Sequence, residues 1–185
     1  GASVMLQDAD NVEIHDCSFS GTTYGVLTLP NHVSNQHLTL QRCLYHNYPQ
    51  YHWREKWLSW EEIYAGYSSS SLIATDSDHV TVQNCVAVHV GDGLRVTNNG
   101  QDEKALGKLM QNILAFGTDD AFEIEGPARS IHIENNLVYD FHESLGLSPV
   151  ELGPVTVKAN LFVHRHDGVN GAQVKLINRE SMPDQ

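Results

Sequence analysis

A repeat of about 25 residues constrains the fold of this 185-residue chain more than any other feature of its sequence. Six segments share an apolar residue, two mostly polar residues, then Cys or Asn, and usually apolar residues after it. They are IHDCSF, LQRCLY, VQNCVA, LMQNIL, IENNLV and VKANLF. The fourth positions are Cys17, Cys43, Cys85, Asn112, Asn136 and Asn160, at spacings of 26, 42, 27, 24 and 24 residues. Only the second interval is long, and removing an insertion of about 17 residues makes it regular.

The residues within each repeat alternate between β-branched or apolar and polar types. NVEIHD, HLTLQR, HVTVQN, SIHIEN and PVTVKA show this alternation, which is typical of short strands with one buried face. Two or three such strands per repeat indicate a parallel β-helix, whose coils stack about 4.8 Å apart. We therefore expect one all-β domain over residues 1–185, a solenoid of about six to seven coils. Apolar residues make up 41% of the chain without forming a membrane-length run, so no membrane span is expected.

The repeats resemble those of right-handed parallel β-helix proteins of the pectate-lyase-like superfamily, in which a ladder of Asn residues lines an internal turn. The resemblance covers roughly residues 4–178 outside the insertion. DDAFEIEG, IENNLVYD and LSPVELGPVTVKANLF are also similar to a large bacterial set of β-helix repeat proteins. The resemblance implies a right-handed coil. It also implies that the Cys residues belong to the ladder of the internal turn. The sequence has no C-x-x-C pair, the pattern that would indicate a zinc site there.

The repeat is interrupted by an aromatic insertion at residues 47–71. Trp53, Trp57 and Trp60, followed by Tyr64 and Tyr67, are spaced by 4, 3, 4 and 3 residues, which predicts one face of a helix. Two interpretations remain open. The aromatic face packs against the solenoid, or some of its rings stay exposed beside a groove and stack on sugars.

Acidic residues recur at the turn that follows each repeat motif. Asp92, the pair Asp119 and Asp120, Glu143 and Asp167 fall at this position in four successive coils. Carboxylates stacked about 5 Å apart repel by roughly 3 kcal/mol at an effective dielectric constant of 20, so such a column needs neutralisation.

Several partners for this column can be named. We predict an ion pair between Arg95 and Glu123 in neighbouring coils, while His142 and His166 each precede an acid of the column. A raised pKa or a bound Ca²⁺ is the other solution. Ordinary turn chemistry, in which a carboxylate accepts backbone N–H bonds, is the structural alternative.

Two of the acidic motifs resemble polygalacturonase-type glycoside hydrolases. VGDGLRV and GTDDAFEI are similar to the first two motifs of that family, which implies catalytic roles for Asp92, Asp119 and Asp120. The third and fourth motifs are represented only by ESLGLS and by QVKL with Lys175, and the family's Asn-Thr pair is absent. An inverting hydrolase uses one carboxyl as an acid and another as a base, whereas a lyase of this fold removes a proton beside a uronate carboxylate.

We therefore expect a polysaccharide-processing protein, either a hydrolase or a lyase, secreted or on the cell surface, although the chain opens without a signal-peptide pattern. Its cofactor is none or Ca²⁺, and no metal ligands can be named. The net charge of −12 argues against nucleic acid as a partner. Substrate binding is assigned to Arg95, Glu123, Glu143, His142, His166, Trp53, Trp57 and Trp60. The alternative is a non-catalytic solenoid module of a larger surface protein, either glycan-binding or structural, and the chain would then be part of a longer solenoid or a multidomain chain.

Overall fold

Three parallel sheets run along the axis of the computed structural model, and each strand pairs with strands from neighbouring coils. The structure describes residues 1–29, 36–47, 70–97, 106–150, 152–164 and 172–176. Sheet A contains β1 (Ala2–Leu6), β4 (Tyr24–Thr28), β7 (Ser71–Thr75), β10 (Leu94–Thr97), β13 (Phe122–Gly126), β16 (Gly146–Val150) and β19 (Lys175–Leu176).

The other two sheets have six strands each. Sheet B contains β2 (Asp10–His15), β5 (Gln36–Gln41), β8 (His79–Gln83), β11 (Leu106–Met110), β14 (Ile131–Glu134) and β17 (Val155–Lys158). Sheet C contains β3 (Ser18–Ser20), β6 (Leu44–His46), β9 (Val86–Val90), β12 (Ile113–Asp120), β15 (Leu137–Glu143) and β18 (Leu161–Val163). The chain visits the sheets in the order B, C, A within each coil.

The predicted all-β parallel solenoid is confirmed, with about five turns rather than six to seven coils. The six strands of sheets B and C are separated by five intervals, which gives the smaller number of turns. The described residues contain no helix, so none of them forms a helical segment suited to crossing a membrane. The helix predicted in the insertion falls on residues 48–69, outside the described part of the chain.

The core consists of inward-facing side chains that stack from coil to coil. In sheet A, Val26, Ile73, Leu94 and Phe122 occupy one register position in successive strands, and all four are fully buried. Since strand residues alternate between the two faces of a sheet, their neighbours point outward. The outward residues of the later coils therefore form columns of their own on the surface of the solenoid.

The Cys and Asn residues of the repeat form the predicted internal ladder at the turn between sheets B and C. The Oδ1 atom of Asn112 accepts the backbone N–H of Cys85, that of Asn136 accepts Asn112 N–H, and that of Asn160 accepts Asn136 N–H, each at 2.9 Å. The Cys43 N–H points at the Cys85 sulfur at 3.4 Å, so the thiols continue the same column. The three cysteines are free thiols, and Cys43 and Cys85 are buried.

The residue before each ladder position adopts a left-handed backbone conformation. Its φ lies between 54° and 58° in all six coils, at Asp16, Arg42, Asn84, Gln111, Asn135 and Ala159. Asp and Asn tolerate this conformation better than other residues with a side chain, whereas Ala has no polar group that could offset its cost. Ala159 is therefore the least suitable residue of the column.

Asn136→Ala is expected to lower the free energy of unfolding by about 2–4 kcal/mol. The substitution leaves the buried Asn112 N–H without its acceptor and removes the bond from Asn136 to the Leu109 carbonyl, and each unsatisfied group costs roughly 1–3 kcal/mol. Urea unfolding measures the change. Gln83→Ala, which removes a surface bond to Gln111, is the control and is expected to change stability little. Equal losses in the two variants would contradict a structural role for the ladder.

Ala159→Asn is expected to stabilise the protein by about 0.5–1 kcal/mol, because Asn adopts the left-handed conformation at lower cost and the site is exposed. Thermal unfolding followed by circular dichroism measures the effect. Lys158→Asn introduces the same residue at the adjacent exposed strand position, where φ is not positive, and no rise in Tm is expected there. The same shift in both variants would contradict the conformational explanation.

Candidate acidic site

The predicted acidic column lies at the turn between sheets C and A. Asp120 pairs in register with Glu143 of the following coil. Leu94 pairs with Phe122, which puts Asp92 level with Asp120 on the other side. Asp92, Asp120 and Glu143 therefore occupy one column in successive coils, while Asp167, predicted for the next coil, lies outside the described residues together with His166.

The adjacent pair Asp119 and Asp120 results from a bulge in β12. Gly117 is opposite Val90 of the preceding coil, at an offset of 27 residues, whereas Phe122 is opposite Leu94 at an offset of 28. The pairing of β12 with β15 shifts by one residue in the same place, between Gly117 and Asp120. Strand β12 thus has one residue more than either neighbour. Bulges of this kind occur often beside active sites, because they redirect a side chain.

Lys175 is the cation that contacts two acids of the site; in the sequence it appeared only in QVKL, the partial match to the fourth hydrolase motif, and no site role was assigned to it. Its Nζ lies 2.6 Å from Oε2 of Glu143 and 3.3 Å from Oδ2 of Asp120. Strand β19 brings it there, because Lys175 pairs with Gly146 of β16. Lys175 follows Asp120 by 55 residues, a separation that no local motif spans. Aligning QVKL with SLGL by strand register is the signal that would have found it.

Gly146 makes room for this contact. A Cβ atom at this position would lie 2.5 Å from Oδ2 of Asp120, closer than real side chains approach. Glycine is therefore required for the Asp120 carboxylate to lie against β16. The outward column that contains Arg95, Glu123 and Lys175 passes through Gly146, where it carries no side chain.

The ion pair predicted between Arg95 and Glu123 is confirmed. The two residues are partners in strand register, and Nε of Arg95 lies 3.0 Å from Oε2 of Glu123. The side chain of Glu123 is only 14% exposed, so the pair is shielded from water more than ordinary surface pairs are. Glu125 follows on the same outward face of β13, where Arg95 and Lys175 both counteract the rise in its pKa that burial causes.

The site contains more negative than positive groups. Among the described residues, it has the cations Arg95 and Lys175 and six carboxyl groups, those of Asp92, Asp119, Asp120, Glu123, Glu125 and Glu143. Burial removes most of the water that would stabilise these charges, since Asp92 and Asp120 are 3% and 4% exposed. Protons on some of the acids, or a bound cation, would reduce the repulsion between them.

Burial is the largest cause of the raised pKa values in this cluster. It raises the pKa of Asp92, and the charges of Glu123 and Asp119 add to the rise. It also raises the pKa of Asp120, where the Glu143 carboxyl acts in the same direction and Lys175 opposes it. The pKa of Asp119 is raised to about 6, again mainly by burial. Asp119 is the half-exposed member of the three predicted catalytic acids.

One oxygen of Asp120 lacks a hydrogen-bond partner among the described residues. Its Oδ1 atom is buried and accepts no hydrogen bond within the described residues. Glu143 is its partner in the next coil. A proton shared by these two carboxyls would give Oδ1 a partner and would reduce the repulsion between them. The same carboxylates are oxygen ligands of the kind that Ca²⁺ prefers, so the residues fit either form of neutralisation.

The histidine predicted here is close to the column, while the aromatic residues fall outside the described chain. His142 immediately precedes Glu143, and burial lowers its pKa, with Lys175 acting in the same direction and Glu143 opposing. Trp53, Trp57 and Trp60 all lie in the part of the insertion that the structure does not describe.

Comparison of the chain with protein-family models, curated proteins and solved structures gave no match. The role of the acidic cluster is therefore inferred from its own geometry and chemistry.

Asp120→Asn is expected to raise Tm at pH 8 relative to the unchanged protein and to have less effect near pH 4. A carboxyl whose pKa is higher in the folded state than its ordinary value of 3.8 binds its proton more tightly when folded. Its contribution to stability is thus complete at low pH and is lost as pH rises through the folded pKa. Asparagine cannot ionise, yet its oxygen still accepts from Lys175.

Thermal unfolding between pH 4 and pH 8 measures this effect. Asp8→Asn, at an exposed position on the same solenoid, is the control and is expected to leave the pH dependence unchanged. A pH profile for Asp120→Asn that parallels that of the starting protein would contradict proton uptake by this group.

Proposed function

We propose that this protein is a secreted or cell-surface glycoside hydrolase that cleaves a polysaccharide whose reacting sugar is uncharged. The observation that carries the proposal is the bulge in β12, which puts a half-exposed acid with a pKa of about 6, Asp119, beside a buried acid whose pKa is raised further, Asp120. Two carboxyls with different proton affinities are what general acid and base catalysis of glycoside hydrolysis requires. The resemblance to the pectate-lyase-like superfamily and to polygalacturonase-type motifs supports the same substrate class.

The proton affinities assign the two roles. Asp120, close to Glu143 and kept protonated by burial, donates its proton to the glycosidic oxygen as the C–O bond breaks. Asp119 is ionised above about pH 6 and is accessible to water, so it accepts the proton of the attacking water molecule. Asp92, also kept neutral by burial, serves as a hydrogen-bond donor to the sugar. Arg95, Glu123, Glu143 and His142 lie close to these acids and are assigned to substrate binding, as are His166 and the tryptophans of the insertion.

The charge of Lys175 and the pairing of Arg95 with Glu123 favour a hydrolase over a lyase. A lyase of this fold needs a basic side chain without its proton, but the acidic side chains of Glu143 and Asp120 next to Lys175 raise its pKa and keep it charged. The guanidinium of Arg95 is committed to Glu123. The surplus of carboxyl groups also repels a uronate, which would need a bound cation such as Ca²⁺ to approach.

The second candidate is a non-catalytic solenoid in which the acidic cluster holds neighbouring coils together. The low exposure of Asp92 and Asp120 favours it, as does the position of Lys175 between two coils. In that case the protein binds glycans elsewhere on its surface or serves as one module of a longer chain.

The proposal is tested by incubating the protein with neutral plant, algal and bacterial polysaccharides and with polyuronates, with and without Ca²⁺. Reducing ends and the absorbance of unsaturated products are both measured. We expect new reducing ends from a neutral polymer without unsaturated products. Asp119→Asn and Asp120→Asn should each lower kcat by about 10²-fold or more, while Asp8→Asn has no effect. The rate should rise with pH through about 6 as Asp119 ionises.

Three outcomes would overturn the proposal. Unsaturated products would identify a lyase. Cleavage that both Asn variants retain would place the chemistry elsewhere. Glycan binding without cleavage by any variant would establish the non-catalytic candidate.

A further inference from the structure

Two histidines and an aspartate from neighbouring coils meet at the start of sheet B, away from the acidic cluster. Leu38 of β5 pairs with Val80 of β8, so His37 and His79 lie side by side in the preceding register position. Their imidazole rings are stacked, with centroids 4.4 Å apart and planes inclined by 18°. Asp78 immediately precedes β8 and contributes the carboxylate.

The donor atoms of these residues are close enough to share one ion. One nitrogen of each histidine and one carboxylate oxygen of Asp78 all lie within 4.8 Å of one another. Nδ1 of His79 and Oδ1 of Asp78 are 3.0 Å apart. Ligands at about 2.0 Å from a tetrahedral ion are separated by roughly 3.3 Å, so this pair already has nearly the required spacing.

Asp78 Oδ1 is incompletely satisfied in its present position. The atom is buried, and its contact with His79 does not have the geometry of a hydrogen bond. A buried carboxylate oxygen without a hydrogen bond is costly, and a cation satisfies it. His37 has a φ of 57°, which is uncommon for a residue with a side chain and holds its ring beside that of His79.

We propose that His37, Asp78 and His79 bind a divalent transition-metal ion, with Zn²⁺ as the best match. Two imidazoles and one carboxylate are a common set of three protein ligands for zinc, and water occupies the fourth position. Nitrogen donors favour zinc over Ca²⁺, which prefers oxygen ligands only. Both histidines are exposed, so their rings can turn out of the stack and direct one nitrogen each at the ion.

The ion would join two coils that the insertion separates in the chain. Strand β5 precedes the insertion at residues 47–71, and β8 follows it, yet the two strands are neighbours in sheet B. A metal bound between them would fix this pairing across the longest interruption of the repeat. The site therefore predicts a gain in stability on metal binding, independent of any activity in the acidic cluster.

The test is titration of chelator-treated, full-length protein with Zn²⁺ by calorimetry, together with Co²⁺ absorption spectra and thermal unfolding with and without Zn²⁺. We expect one site per chain, visible Co²⁺ bands of a four-coordinate ion, and a higher Tm with zinc. His37→Ala, His79→Ala and Asp78→Asn should each weaken zinc binding by at least about tenfold and abolish the Tm shift. Ca²⁺ should not compete.

His132→Ala is the matched control. His132 lies in β14 of the same sheet and forms an ion pair with Glu134 at 3.2 Å, but the two residues belong to no group of three donors in the described structure. Zinc binding should be unchanged in this variant. The proposal is overturned if the unchanged protein does not bind zinc at micromolar concentration, or if His132→Ala weakens binding as much as His37→Ala does. It is also overturned if folded His37→Ala and His79→Ala variants, verified by circular dichroism, bind zinc normally.

Discussion

The hydrogen bonds of Asn112, Asn136 and Asn160 inside the turn between sheets B and C hold each coil at a fixed register on the next. A strand that slipped by one residue would turn its whole apolar face outward, so the register decides which side chains form the core. The left-handed residue before each ladder position sets the direction of the turn and lets the Asn or Cys point inward. Core stacking, surface columns and both candidate sites depend on this one repeated turn.

The acidic cluster follows directly from that register. Once Leu94 is opposite Phe122, Arg95 must be opposite Glu123, and Asp92 must be level with Asp120. Six carboxyls and two cations then share a region in which Asp92 and Asp120 are almost fully buried. The fixed backbone positions keep these groups close to one another, and the approach of Lys175 offsets part of the repulsion between Asp120 and Glu143.

The sequence was sufficient to predict what the repeat determines, and insufficient where the repeat is broken. The ladder with its Cys positions and the pair of Arg95 with Glu123 could be predicted, because each follows from aligning equivalent positions. Lys175 was harder to place in the site, since no local motif spans the 55 residues that separate it from Asp120. The importance of Gly146 could not be seen in the sequence either, because a glycine has no reactive side chain and acts by leaving space for Asp120.

The pair of His37 with His79 was missed for another reason. These two histidines lie at the starts of strands in sheet B, whereas the acidic motifs lie at the turn between sheets C and A.

The candidate acidic site lies at positions where the repeat of the solenoid is irregular. A regular parallel coil repeats the same environment at every turn, so equivalent acids would have similar proton affinities. The extra residue in β12 breaks this equivalence, because Asp119 is displaced into a half-exposed position while Asp120 keeps its place above Glu143. Gly146 breaks it again by removing a side chain from the outward column, which lets Lys175 reach across to two acids. The difference in pKa between neighbouring carboxyls, on which acid and base catalysis depends, therefore arises from two local departures from a repeat that otherwise serves only to stack coils.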